Sequence, residues 1–159
     1  MTIRIRRARA DDAPALTALM HASSAYRGEY AAILVGYAIS PTQIVRGTMF
    51  VAEDAGAPLG FYSLADVQGE PELDLLFVSD AAQGRGVGAL LFRHMLDAAQ
   101  ALGITEVKIV SHPPAEGFYR RMGAKRTGTR ASSGRVGWPR PVLTIEVPSA
   151  AAPIHAIPR

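Results

Sequence analysis

The sequence predicts an α/β chain of the α+β kind, with helices packed on a mixed sheet. Three observations predict it. Strand-like alternation and helix-like periodicity take turns along the 159 residues. At 48% hydrophobic, a chain of this length can bury one full core as a single domain. Three glycines on alternate positions, Gly84, Gly86 and Gly88, separate an apolar run from an amphipathic one. They mark a strand that passes into a helix with its backbone laid bare.

The elements follow in order. Ile3 and Ile5 alternate with Arg4 and Arg6 as a first strand. Asp11 or Asp12 is placed to cap a helix with Pro14 in its first turn and Leu16, Leu19 and Met20 inside. The tyrosine-rich stretch from Ser23 to Tyr37 reads as helical in parts, and Ser40-Pro-Thr-Gln43 has the form of a capping box. Met49 to Ala52 and Leu59 to Ala65 pair as strands, and a turn at Gln68 to Pro71 leads to a strand from Glu72 to Val78. Past the glycines, Leu91, Met95, Ala98 and Leu102 form the apolar stripe of a helix that Gly103 ends. Glu106 to Val110 is a strand, and Ala115 to Met122 a short helix stopped by Gly123. Strands at Ala124 to Arg130 and Val142 to Val147 close a domain of residues 1–148, and 149–159 read as a loose tail.

Composition excludes several functions. Without cysteine there is no disulfide scaffold, thiol catalysis or Cys-ligated zinc, and a reducing cytoplasm is the expected location. His21, His94 and His155 share no metal-ligand spacing, so no metal is expected. No apolar run approaches the roughly 18 residues that cross a bilayer, and no signal-peptide pattern is visible. The net charge of +3 is mild and its arginines are scattered, so no nucleic-acid partner is expected; basic residues near a bound polyphosphate explain the charge equally well.

Alternating glycines let a ligand approach the main chain, and a loop that runs directly into a helix presents unpaired amides to an anion. Two familiar phosphate loops do not fit. A dinucleotide fold needs G-x-G-x-x-G and a carboxylate at the end of the next strand, where this chain has G-x-G-x-G and Val110-Ser-His112. A P-loop needs Gly-Lys-Ser/Thr, which is absent.

Gln83-x-x-Gly86-x-Gly88 does fit, and resembles the Q/R-x-x-G-x-G/A signature of the GCN5-related N-acetyltransferases (GNAT). Ala115 to Ala124, with Phe118-Tyr119 inside, is similar to that family's A-x-x-F-Y-x-x-x-G-F/A helix. The resemblance covers about residues 3–147. It implies a mostly antiparallel sheet of six to seven strands flanked by about four helices, with strands 4 and 5 splayed. It implies acetyl-CoA as acyl donor, held by Phe77, Val78, Gln83, Gly84, Arg85, Gly86, Val87, Gly88, Ala89 and Tyr119. The pantetheine arm would pair with the backbone of Phe77 and Val78, and the Val78 amide would polarise the thioester carbonyl.

The same resemblance implies Tyr119 as the acid for the leaving thiolate, and Glu72 or Asp74 as base or water relay for the amine. Two apart on one strand, these carboxylates are expected to face the same way. Where many relatives have Asn, this chain has Ser111-His112-Pro113-Pro114, and His112 is placed to bond a pantetheine amide or a water. The expected acceptor is a small-molecule amine near Tyr26, Tyr30 and Trp138. Glu29, Asp66 and Glu70 suit a cation, whereas Arg130, Arg135 and Arg140 suit an anionic group. Protein or peptide acetylation and an acyl-CoA-binding module, or another acyl donor, stand as alternatives. Relatives often pair through their last strands, so a homodimer is expected.

Overall fold

The computed structural model describes residues 2–149 apart from Arg27 and Arg135. Its elements run β1 (Arg4–Arg7), α1 (Ala13–His21), α2 (Pro41–Arg46), β2 (Thr48–Asp54), β3 (Ala57–Val67), β4 (Glu70–Val78), α3 (Val87–Ala101), β5 (Glu106–Val110), α4 (Glu116–Arg121), β6 (Lys125–Arg130) and β7 (Arg140–Glu146). The Ser23–Tyr37 stretch becomes two 3-10 helices, Ser24–Tyr26 and Gly28–Leu34. Apart from Ser149, the expected tail lies outside the described residues.

The seven strands form one sheet in the order β1-β2-β3-β4-β5-β7-β6. Every neighbouring pair is antiparallel except β4 with β5, which run parallel. Two tight turns set the first half. Ala55 and Gly56 (φ 50° and 82°) join β2 to β3, and Gln68 and Gly69 (φ 53° and 83°) join β3 to β4. Left-handed backbone at both central positions matches the twist of a hairpin. Asp66 Oδ1 steadies the second turn by accepting from the Gly69 N–H at 2.8 Å. The strands are therefore longer than the sequence predicts, because two residues do the work expected of six and four.

The core lies on both faces of the sheet. On one, α3 and α4 bury Leu91, Phe92, Met95 and Tyr119 against Tyr62, Val107 and Leu143. On the other, Leu16, Met20 and Ile44 from α1 and α2 cover Phe61 and Phe77. Burying each such side chain contributes about 1.5–3 kcal/mol, so these two layers dominate stability.

Three local expectations meet different outcomes. Ser40 caps α2 as expected, its Oγ accepting from Gln43 N–H at 3.0 Å. Asp12 precedes α1 without capping it: its carboxylate accepts from Arg9 N–H at 2.6 Å and takes a two-pronged bond from Arg6 at 2.8 and 2.9 Å. Arg6 also reaches Glu53 at 3.0 Å and so ties β1, β2 and the start of α1 together. The apolar stripe of α3 is Leu91, Phe92, Met95 and Ala99; Leu102 is 59% exposed. The helix closes by bonds from Gly103 N–H to Gln100 O and from Ile104 N–H to Ala99 O, which turns Ile104 inward and leaves Leu102 outside.

Ala55 sits in left-handed backbone that an L-residue adopts at a cost, whereas Asn tolerates it. Ala55→Asn is expected to stabilise the fold by about 0.5–1 kcal/mol, read as a higher urea midpoint at unchanged slope.

Candidate active site

The site starts from a seam in the sheet. Although β4 and β5 are neighbours, one residue pair, Glu72 with Lys108, carries their register. Beyond it the strands diverge, and a cleft of about 690 Å³ opens between them. The cause lies in β4. Its register with β3 slips between Ser63 and Leu64, so Leu75 faces Ser63 and Leu73 faces Leu64, with Asp74 left unpaired. Such a bulge bends a strand and increases its twist.

Backbone groups line the opened edge. Ser79 N–H bonds Leu59 O at 2.8 Å, and Val78 stands opposite Gly60. Antiparallel pairing alternates, so Phe77 gives its main chain to β3 while Leu76 and Val78 turn theirs towards the cleft. The expectation of free amides at Phe77 and Val78 is corrected to Leu76 and Val78; Phe77 contributes its ring. Gln83 Nε2 donates to Val78 O at 3.2 Å and draws the following loop over the strand end.

That loop adopts the form an anion needs. Gly84 and Gly86 have φ of 80° and 77°, so left-handed backbone requires both glycines. Gly86 is also the N-cap of α3, and no side chain bonds to the first turn. The amides of Val87, Gly88 and Ala89 thus lack helical partners, and all three residues line the cleft at the positive end of a 15-residue helix. These features fit a pyrophosphate. Arg85 is exposed and not among the lining residues, whereas Arg121, at the end of α4, is one of them.

The titratable groups gather further along. Glu72 is 7% exposed, and burial first, then the Asp74 charge, raises its pKa above the ordinary carboxylate value. Arg130, Lys108 and Arg140 oppose that rise. Burial also raises the pKa of Asp74, an exposed residue that lines the cleft. The bulge breaks the strict alternation expected for these two, yet both open on the cleft. Tyr119 lines the cleft wall and burial holds its phenol well above the usual value, so it stays protonated. Burial raises Tyr26 to about 12. His112, 8% exposed, is pulled below its ordinary pKa by burial, and the nearby Ala25 backbone opposes this without completing a hydrogen bond.

Aromatic rings fix the far side of the cleft. Phe77 meets Tyr26 at 5.3 Å, Tyr26 stacks on His112 at 4.2 Å, and Tyr30 lies edge-on to His112 at 4.6 Å and to Trp138 at 4.8 Å. Tyr26, His112 and Trp138 line the cleft; Tyr30 is not a lining residue and buttresses them from behind. Ser24 ties this flank to the phosphate loop through bonds from its N–H and Oγ to Asp80 Oδ1 at 3.1 and 2.9 Å. Glu29 and Asp66 lie outside the lining, and Glu70 pairs with Lys108 at 2.5 Å. Arg135 is outside the described residues, whereas Arg140 lines the cleft. The sequence reading missed Leu76 and Arg121. Leu76 is two residues from Val78, so the period of a strand would have found it.

Comparison with known proteins agrees with this geometry. A family model described as an acetyltransferase (GNAT) domain matches residues 40–136. The chain is 31% identical over 158 residues to a Salmonella typhimurium protein named peptidyl-lysine N-acetyltransferase YjaB, covering 93% of this chain and all of that one. A GNAT-family protein from Desulfovibrio desulfuricans superposes with a TM-score of 0.75 at 15% identity, over 92% of this chain and 100% of the other. The PaiA N-acetyltransferase of Thermoplasma acidophilum, in complex with coenzyme A, gives 0.69 at 18% identity over 92% and 99%. With the seam, the glycine loop and the tyrosine helix in one cleft, the chain belongs to the GNAT family of acetyl-CoA-dependent N-acetyltransferases.

Proposed function

We infer that the chain moves an acetyl group from acetyl-CoA to the primary amine of a small molecule, both bound in the cleft at once. The carrying observation is the seam, which exposes the Leu76 and Val78 backbone, the uncapped α3 amides, Glu72 and Tyr119 to one space. The donor supplies its acetyl group activated as a thioester. Val87, Gly88 and Ala89, with the left-handed Gly84 and Gly86, hold the pyrophosphate; Leu76 and Val78 accept the pantetheine arm as an added strand. The Val78 N–H is aimed to stabilise negative charge on the thioester oxygen.

Glu72 receives the ammonium proton, directly or through water. Its raised pKa makes it a stronger base than an exposed glutamate. Tyr119 keeps its proton at working pH and donates it as charge develops on sulfur. Three of the groups around the amine, Glu72, His112 and Trp138, are 7–8% exposed, which supports an enclosed pocket for a small acceptor. The name of the Salmonella relative supports a second reading, in which the amine is a peptide lysine. The reading includes a cytoplasmic homodimer joined through the last strands. The exposed length of β6 supports that interface, and light scattering is expected to give about twice the 16.9 kDa of one chain.

Tyr119→Phe is expected to slow single-turnover acetyl transfer by about 10²-fold while donor affinity, measured by calorimetry, shifts by about 0.5–1.5 kcal/mol or less. An unchanged single-turnover rate would leave Tyr119 as packing alone. Glu72→Gln is expected to lower kcat/KM at neutral pH and to regain part of it at high pH, where the free amine is abundant. Stability moves the other way. Because folding raises the Glu72 pKa, that stabilisation is complete below the ordinary glutamate value and lost as pH rises through the folded one. The amide never ionises, so chemical denaturation between acid and neutral pH is expected to show a smaller loss for Glu72→Gln than for the wild type.

A further inference from the structure

We propose that the acceptor is a zwitterion: a small primary amine that carries a carboxylate, of the amino-acid class, with the amine at Glu72 and the carboxylate at Arg140 and Trp138. The inference rests on the acetyl-transfer reading and names the substrate class of that site. Among the described residues, buried side-chain polar atoms without a hydrogen-bond partner occur on Glu72 (Oε1), His112 (Nδ1 and Nε2), Trp138 (Nε1) and Arg140 (Nε). All four residues line the cleft. A buried polar atom without a partner is costly to keep, so such a cluster in one place is a template for what pairs with it.

The chemistry of the template has two ends. An indole N–H and a guanidinium Nε–H can only donate, so the Trp138–Arg140 end calls for an acceptor. A carboxylate oxygen can only accept, so the Glu72 end calls for a donor. A carboxylate offers four lone-pair sites to the first end, and an ammonium offers three N–H bonds to the second. Neutral His112, with one donor and one acceptor nitrogen, suits the space between them.

Charge points the same way. Arg140 and Arg130 stand opposite each other across β6 and β7; Arg130 is exposed and outside the lining, so it adds positive potential behind Arg140 rather than a ligand contact. Neither makes an ion pair among the described residues; burial first, then the Arg130 charge, lowers the Arg140 pKa, and Glu72 opposes this from a distance without contact. The gap between Glu72 and Arg140 is therefore bridged best by a ligand with opposite charges at its ends. A simple amine leaves Trp138 and Arg140 desolvated and unpaired, and a lysine within a peptide offers them only neutral carbonyls, which leave the Arg140 charge unanswered. The donor's phosphates have their own cradle at Gly84 to Ala89, on a different element.

The test uses the full chain with acetyl-CoA and follows thiol release. Each of the common amino acids is paired with its amide and its decarboxylated amine. At least one free acid is expected to exceed both partners in kcat/KM by about tenfold or more, since a site built for a polar group rejects analogues that lack it. Arg140→Gln is expected to shrink that ratio to below about threefold, and Arg140→Lys to restore part of it, because lysine keeps the charge but not the fork. The wild-type comparison stands even if a variant fails to fold. Amides or amines that match their acids, amino acids that are all inert beside an active amine or lysine peptide, or an Arg140→Gln variant that slows acid, amide and amine alike would each overturn the proposal and leave acetyl transfer intact. If acetyl-CoA titrates onto the protein but no amine of any kind releases thiol, acetyl transfer itself falls and this proposal with it.

Discussion

Everything functional in this molecule depends on a parallel strand pair that is barely a pair. Parallel pairing is slightly weaker per residue than antiparallel pairing, and here it is carried by Glu72 and Lys108. The bulge at Asp74 increases the twist of β4 just past that point, so the strands separate where the chain's polar chemistry is placed. Remove the bulge and β4 would continue beside β5, its amides spent on a ladder. The flanking antiparallel hairpins, each closed by a two-residue turn, hold the rest of the sheet against this local opening.

The two apolar layers make the opening tolerable. Phe77 projects its ring to the α1–α2 side while Tyr62 and Leu73 face α3, so β3 and β4 remain anchored on both faces. The cleft sets apolar wall residues such as Leu75, Phe77 and Phe118 beside groups that lack partners: uncapped helix amides, a buried carboxylate and a buried imidazole. Core residues such as Leu73, Phe77 and Tyr119 form part of the cleft wall, so the same packing that stabilises the fold holds the unpartnered groups in place.

The legible parts of this fold were local in cause. Ser40 and Gln43 cap a helix because their own spacing permits it, and Gly84 and Gly86 announce left-handed backbone because few other residues adopt it. The cofactor loop and tyrosine helix were legible for the same reason, each within about ten residues. What the sequence concealed depends on partners far along the chain. The bulge at Asp74 exists only relative to β3, and the direction of the Phe77 amide follows from Ser79 bonding Leu59. Asp12 looks like a helix cap until Arg6 claims its carboxylate. Leu102 fits the helical stripe, but a stripe does not say where the helix unwinds, and Gly103 ends it one residue too early to bury that side chain. Arg85 fills an unspecified position of the loop signature and Arg121 one of the tyrosine-helix signature; only the folded path of α4 shows that the second lines the cleft.

The seam has a consequence for how the molecule behaves among its neighbours. A strand with unpaired amides is ordinarily a hazard at the rim of a sheet, where it recruits strands from other chains into aggregates. Here the unpaired stretch lies in the middle of the sheet. Leu76 and Val78 line the cleft together with Phe118 and Tyr119 of α4 and the stacked Tyr26 and His112. A narrow extended ligand arm can reach those groups edgewise, but a foreign strand with side chains on both faces meets aromatic walls. The β1 rim of the sheet is guarded by other means, since β1 carries arginine at three of its four positions. The chain thus keeps a sticky edge for its own use by placing it where only a slender guest fits.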